Sequence, residues 1–246
     1  MIQFEHVHKA LGGRTVLDGI DLEIRNGETT VIIGRSGCGK SVMLKHIIGL
    51  LYADSGAVTV DGLDVAALAN HGLFELRRKF GVLFQSGALI NWLSVYDNVA
   101  LPLREHTKLS AKEIDKTVRE KLALLDLEQD AAKMPSDLSG GMRKRAGLAR
   151  AIVLSPQNIL YDEPTSGLDP VMAARIDELI IHVKKSLGVT SVVVTHDMPS
   201  AYRVGDRIAM LYGGKIIEVG TPDEIRKTKH PVVRQFIEGQ LEGPME

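Results

Sequence analysis

Eight consecutive residues, Gly34, Arg35, Ser36, Gly37, Cys38, Gly39, Lys40 and Ser41, set three glycines ahead of a lysine and a hydroxyl. The spacing G-x-x-x-x-G-K-S lets successive main-chain N–H groups curl around phosphate oxygens with no Cβ in the way. Lys40 would bring a point charge to the outer phosphates, and Ser41 a hydroxyl to Mg²⁺. The octet follows Thr30–Ile33, a β-branched run that reads as a strand buried on both faces. It opens a helix predicted from about Gly39 to Leu50, whose N-terminal dipole adds positive potential. A glycine-rich turn that binds nothing is the plain alternative, and the agreement of motif and context favours phosphate.

A second group of residues fits the same chemistry. Asn158–Tyr161 is a predicted apolar strand that runs into two carboxylates, Asp162 and Glu163. Asp162 would hold the hydration shell of Mg²⁺, and Glu163, just beyond the strand, could polarise an attacking water. Taken alone the pair would read as an exposed acidic turn. Downstream of a phosphate loop on the same predicted sheet, it reads as catalytic. Ser139, Gly140 and Gly141 open a further predicted helix with a hydroxyl and two glycines, a cradle for an anion that uses the helix dipole rather than a lysine. A simple serine N-cap is the bland reading of that segment.

The elements that must carry these residues follow from pattern and punctuation. Ile2–Val7, Val16–Ile24 and Ala57–Val60 alternate apolar and polar residues, with turns at Asn26-Gly27 and Asp61-Gly62. Ser110 and Glu113 form a capping box for a helix through about Leu125, and the whole stretch 86–138 is helix-rich. Strand–helix alternation then resumes: a helix at about Gly141–Leu154, the strand at Asn158, a helix with Asp169 as N-cap and Pro170 in its first position, and a strand at Ser191–Val194. A hairpin at Gly213-Gly214 and a short helix capped at Thr221-Pro222 complete the pattern. Such alternation implies an α/β chain with a mainly parallel sheet.

Bulk properties narrow the setting. The chain has 246 residues, 25% charged and 44% hydrophobic, with net charge -1. That balance gives no reason to expect nucleic acid as a partner. A single cysteine precludes an internal disulfide framework and fits a reducing compartment. No apolar run reaches the roughly 18 residues of a membrane span, and the first residues lack the pattern of a secretory signal. The expected location is cytoplasmic, with any membrane role exerted through a partner.

The segment Leu138–Met142 resembles the signature motif of ABC ATPases, with Met142 where that family usually has glutamine. The resemblance runs along the chain in order. Gln85 resembles the Q-loop glutamine that senses metal and nucleotide, Ser166–Asp169 the D-loop that couples two sites, and His196 the switch histidine that contacts the γ-phosphate. It implies an α/β fold, a P-loop ABC-type ATPase core with an antiparallel β subdomain and a helical lobe. The implied organisation is one domain over 1–246: a nucleotide-binding core at 1–85 and 139–225, a lobe at 86–138, and a C-terminal helix and tail at 226–246. It further implies ATP and Mg²⁺ as ligands and hydrolysis assisted by Glu163, His196 and Gln85. The metal would be held by Ser41, Gln85 and Asp162. A second copy of the chain would close its Ser139, Gly140 and Gly141 over the bound nucleotide, with Asp169 nearby.

Phe84–Leu89, Val95–Ala100, Pro102–Thr107, Ser139–Arg150 and Val233–Gly239 are similar to the ATPases of Mla and Mce lipid-transport systems. That likeness implies phospholipid or sterol-like cargo, a membrane permease and an MCE-domain protein as partners, and a peripheral place on the inner face of the plasma membrane. One position departs from the wider family. Many members stack the adenine on an aromatic residue where this chain has Leu11, just before Gly12. Other readings stay open on sequence: an importer ATPase for another small solute, a non-transport ABC ATPase, or a monomeric nucleotide kinase or regulator that shares the phosphate loop.

Overall fold

The computed structural model describes residues 1–245. Two long strands open the chain, β1 (Ile2–Leu11) and β2 (Arg14–Ile24), followed by β3 (Thr29–Ile33) and helix α1 (Lys40–Ile47). Next come β4 (Ser55–Val60), β5 (Leu63–Asp64), α2 (Asn70–Arg78) and β6 (Phe80–Leu83). Helices α3 (Val95–His106), α4 (Ala111–Leu124) and α5 (Gly140–Ile152) lead to β7 (Asn158–Asp162) and α6 (Pro170–Leu187). The chain ends with β8 (Thr190–Thr195), α7 (Met198–Val204), β9 (Arg207–Tyr212), β10 (Lys215–Gly220), α8 (Pro222–Arg226) and α9 (Pro231–Glu238).

Two compact units result, one of Met1–Leu76 with the chain from Thr190 on, the other of Arg77–Val189. In the first, β2, β1, β4 and β5 form an antiparallel sheet in that order. This is the expected antiparallel subdomain. β1 runs four residues past the expected Val7 because its far end stays paired with β2, down to the Leu11–Arg14 couple at the hairpin. A separate layer places β3 between β8 and β9, all parallel, with β10 antiparallel beside β9. Every residue of β3 and β8 is buried, as a central strand with both faces covered requires. The hairpin between β9 and β10 turns on Gly213 and Gly214, at φ 57° and 78°.

Helix α1 stops at Ile47, three residues before the expected Leu50. Gly49 takes φ +62°, and the N–H groups of Leu50 and Leu51 return to the Lys45 carbonyl, which closes the helix by a left-handed glycine cap.

In the second unit β6 and β7 pair in parallel, Phe80 beside Asn158 through Leu83 beside Tyr161. Helices α3, α4 and α5 pack on one another around Val99, Leu103, Val118, Leu122 and Leu148, all buried. The capping box expected at Ser110 and Glu113 is formed. Asp169 caps α6 through Oδ1, which accepts from the Val171 and Met172 N–H groups at 3.0 Å each, and Pro170 occupies the first helical position.

Candidate functional site

The phosphate loop spans the gap between β3 and α1 in the first unit, and its backbone leaves no freedom at two glycines. Gly34 has φ +156°, and a Cβ there would lie 2.5 Å from the Leu211 carbonyl oxygen. Gly39 has φ +112°, and its Cβ would lie 2.9 Å from Val16 Cγ1. Any side chain at either point would displace the loop or its support. Helix α1 has no side-chain N-cap and no acidic residue in its first turn. Its leading N–H groups and positive dipole end are therefore suited to an anion. Lys40 is buried, and its ammonium donates to the carbonyls of Gly34 at 2.8 Å and Arg35 at 3.1 Å, drawn in along the inside of the loop. Arg35, Ser36 and Gly37 are exposed; Cys38 and Ser41 are half-buried. A glycine-lined loop with a cation inside it and a bare helix start is a fit for nucleotide phosphates. In the same unit His196 follows β8 as an exposed residue, and Leu11 closes β1 at the hairpin.

The remaining predicted residues belong to the second unit. Asp162 ends β7, and Glu163 after it is buried with φ +49°, a left-handed conformation that an L-residue adopts at a cost. The Glu163 carbonyl accepts from the Ser166 N–H at 3.2 Å and from the Lys144 ammonium at 3.0 Å. Gln85, exposed two residues past β6, donates from Nε2 to Ser166 Oγ at 3.2 Å. Gln85, Glu163 and Ser166 are thus brought into one hydrogen-bonded group. Ser139 is the N-cap of α5, its hydroxyl accepting from the Met142 N–H at 3.3 Å, and Gly140 and Gly141 form the first turn, which carries no acidic residue. Asp169 is exposed and uses one carboxylate oxygen on α6.

Two residues that hold this group together lie in the Ser139–Arg150 block, whose likeness assigns neither a role. Lys144 lies on the buried stripe of α5 with Gly141 and Leu148, and burial pulls its pKa down to about 8, against the opposing pull of the Glu163 carboxylate. In the sequence Lys144 stands between Arg143 and Arg145, and only its place on the stripe with Gly141 and Leu148 sets it apart from them. Arg150 donates to the carbonyls of Ala88 at 2.8 Å and Gly87 at 3.1 Å, and so anchors the loop that follows Gln85.

The family model for ABC transporters matches residues 17–166, which take in the phosphate loop, the signature segment and the Asp162-Glu163 pair. The chain belongs to this family. It is the ATP-binding subunit of an ABC transporter, with an ABC ATPase core. A curated relative, the probable ribonucleotide transport ATP-binding protein mkl of Mycobacterium tuberculosis, is 45% identical over 99% of this chain and 68% of its own length. The intermembrane phospholipid transport system ATP-binding protein MlaF of Haemophilus influenzae is 40% identical over 100% of this chain and 93% of its own. The Escherichia coli K12 MlaF is also 40% identical, with 91% of its length covered. Among solved structures, a dimer of the ATP-binding cassette MJ0796 bound to ADP and Pi in a post-hydrolysis state is 35% identical. It superposes with a TM-score of 0.83 over 90% of this chain and 99% of that one. CbiO1 of Clostridium perfringens, part of a cbiONQ transporter complex, is 31% identical with a TM-score of 0.85, over 98% of this ABC ATPase and 95% of that chain.

Proposed function

We propose that this ABC ATPase hydrolyses Mg-ATP to drive movement of phospholipid or a sterol-like lipid through a membrane permease. One observation carries the cargo: the likeness to MlaF proteins runs end to end, over 100% of this chain and 91–93% of theirs. A second reading, ribonucleotide transport, draws on the higher 45% identity to mkl, where the match covers 68% of the relative. The lipid reading also gains from the short blocks around Gln85, Val95 and Ser139.

In the proposed reaction Gly34–Ser41 binds the nucleotide, its N–H groups cradling the phosphates while Lys40 exchanges loop carbonyls for phosphate oxygens. Ser41, Asp162 and Gln85 are the hard oxygen donors that would hold Mg²⁺, whose charge would favour phosphoryl transfer. Glu163 would accept a hydrogen bond from the attacking water, and His196 would donate to the γ-phosphate. Ser139, Gly140 and Gly141 of a second copy present hydroxyl and N–H donors to the same nucleotide, with Asp169 coupling the copies. Support for a homodimer comes from the family and from the dimeric MJ0796 cassettes. No helix among the described residues is long and apolar enough to cross a membrane. The proposed place is cytoplasmic, held peripherally on the inner face of the plasma membrane by the permease, with an MCE-domain protein as the lipid-binding partner. The proposed organisation is one ABC ATPase domain, with 1–85 and 139–225 as nucleotide-binding core, 86–138 as helical lobe, and 226–246 as C-terminal helix and tail.

Two measurements test this. Glu163→Gln should bind ATP as the unaltered protein does while turnover falls by at least a hundredfold, about 2.7 kcal/mol of lost transition-state stabilisation. Undiminished turnover would remove Glu163 from its role. Purification with the permease followed by identification of extracted lipid tests the cargo; a complex that carries no lipid, with ATPase activity at saturating ATP stimulated by a different ribonucleotide, would move the assignment to the second reading.

A further inference from the structure

We propose that Lys144 is a positioning residue for hydrolysis, its buried ammonium pinning the main-chain carbonyl of Glu163 and with it the turn that carries the Glu163 carboxylate and the Ser166 hydroxyl. The proposal rests on the reading of Glu163 as the residue that activates water. Two donors meet on that one carbonyl, and a third element is tied to the same turn through Ser166. α5 brings Lys144 Nζ to 3.0 Å, the turn after β7 brings the Ser166 N–H to 3.2 Å, and the Ser166 hydroxyl holds Gln85 from the end of β6 at 3.2 Å.

The backbone at Glu163 needs such support. Its φ of +49° is a conformation that persists in a non-glycine residue only where the surroundings over-determine it. A lysine with 4% of its surface exposed is costly at an interior helix position, where leucine or methionine would pack without penalty. The cost is offset in part by two features of the same residue: the Glu163 carbonyl takes the hydrogen bond, and the Glu163 carboxylate supplies the opposing charge. Lys144 therefore fixes the backbone that carries the Glu163 carboxylate. Because Lys144 stands on α5, whose first residues are the Ser139 cradle, a shift of that helix reaches the Glu163 carbonyl directly.

The test uses the full chain with Lys144→Met, Lys144→Arg and Glu163→Gln, plus the Lys144→Met, Glu163→Gln double variant. Lys144→Met should lower kcat about tenfold, equivalent to ~1.4 kcal/mol, with KM for ATP within threefold and a melting temperature no lower than that of the unaltered protein. Lys144→Arg, which keeps donor and charge, should recover at least a third of kcat. The double variant should turn over no more slowly than Glu163→Gln alone. A structural role would instead lower stability and raise KM together. Unchanged kcat in Lys144→Met, or equal loss in the Met and Arg variants, overturns the proposal while an inactive Glu163→Gln leaves the reading of Glu163 in place. An active Glu163→Gln overturns both. If Lys144→Met does not fold, Lys144→Arg decides: kcat below a third at unchanged KM and stability rejects a role met by donor and charge alone.

Discussion

Leu11 sits at the last pair of β1, 39% exposed beside the Gly12-Gly13 hairpin, with no ring on Ala10 or Lys9 next to it. If the base lies over this position, as the family resemblance implies, an aromatic residue there would add stacking worth about 1–3 kcal/mol with little preference among bases. Phosphate and metal contacts are the same for ATP and GTP, so a leucine leaves selection to base-edge hydrogen bonds alone. GTP turnover is expected within about tenfold of ATP, a gap of ~1.4 kcal/mol, and Leu11→Tyr should lower the KM for ATP. Competition assays at fixed Mg²⁺ check both; a GTP rate below a hundredth of the ATP rate would mean that another residue reads adenine. Lys40 and Glu163 were visible as candidates because each belongs to a short segment whose residue types and spacing suggest its chemistry, and Leu11 was singled out by the family resemblance alone. Lys144 was visible in neither way. Its partner lies 19 residues further along, and only the fold brings that carbonyl to the ammonium.

At the scale of elements, α5 and the loop after β6 meet backbone to backbone. A Cβ on Gly147 would lie 2.8 Å from the Gly87 carbonyl oxygen and 3.0 Å from its Cα, and a Cβ on Gly87 would lie 2.7 Å from the Arg143 carbonyl oxygen. Arg150 ties the same loop to the helix by two further hydrogen bonds. In an isolated helix Gly147→Ala would gain up to about 1 kcal/mol from propensity. Here the methyl meets main chain, which cannot rotate away, so overpacking of about 1–3 kcal/mol should win. The melting temperature should fall by about 2–4 °C per kcal/mol, and thermal unfolding that shows an equal or higher midpoint would reject the close contact. Helix starts were readable where a side chain caps them, as at Ser110, Ser139 and Asp169. Segment 86–138 yielded its helical character but not the bounds of α3, which carries Pro102 in its interior and so interrupts the expected pattern. The end of α1 was misjudged for the opposite reason: the apolar periodicity runs on through Leu50, while the Gly49 backbone has already turned.

At the scale of the whole molecule, the proposed work of Ser139, Gly140 and Gly141 falls on the nucleotide of another copy, and this claim separates a dimeric engine from a monomeric nucleotide kinase that shares the phosphate loop. Ser139→Arg removes the hydroxyl that caps α5 and puts a long side chain at an exposed helix start, far along the chain from the loop at Gly34–Ser41. Nucleotide affinity of the isolated subunit should hold while hydrolysis stops. Lys40→Ala should stop hydrolysis from the other side, by weakening phosphate binding. Mixing the two inactive proteins places both lesions in one composite site of each mixed dimer and neither in the other. With random pairing about half the dimers are mixed, so intact sites should number about a quarter of those in the unaltered protein, given a two-fold symmetric pair. Activity in the mixture above the sum of the separate proteins establishes completion across copies. Inactive mixed dimers follow equally if both sites are needed together or if each signature acts within its own copy, and nucleotide trapped per dimer separates the two. Full activity of Ser139→Arg by itself would take the signature segment out of the mechanism and return the chain to a reading in which one copy is enough.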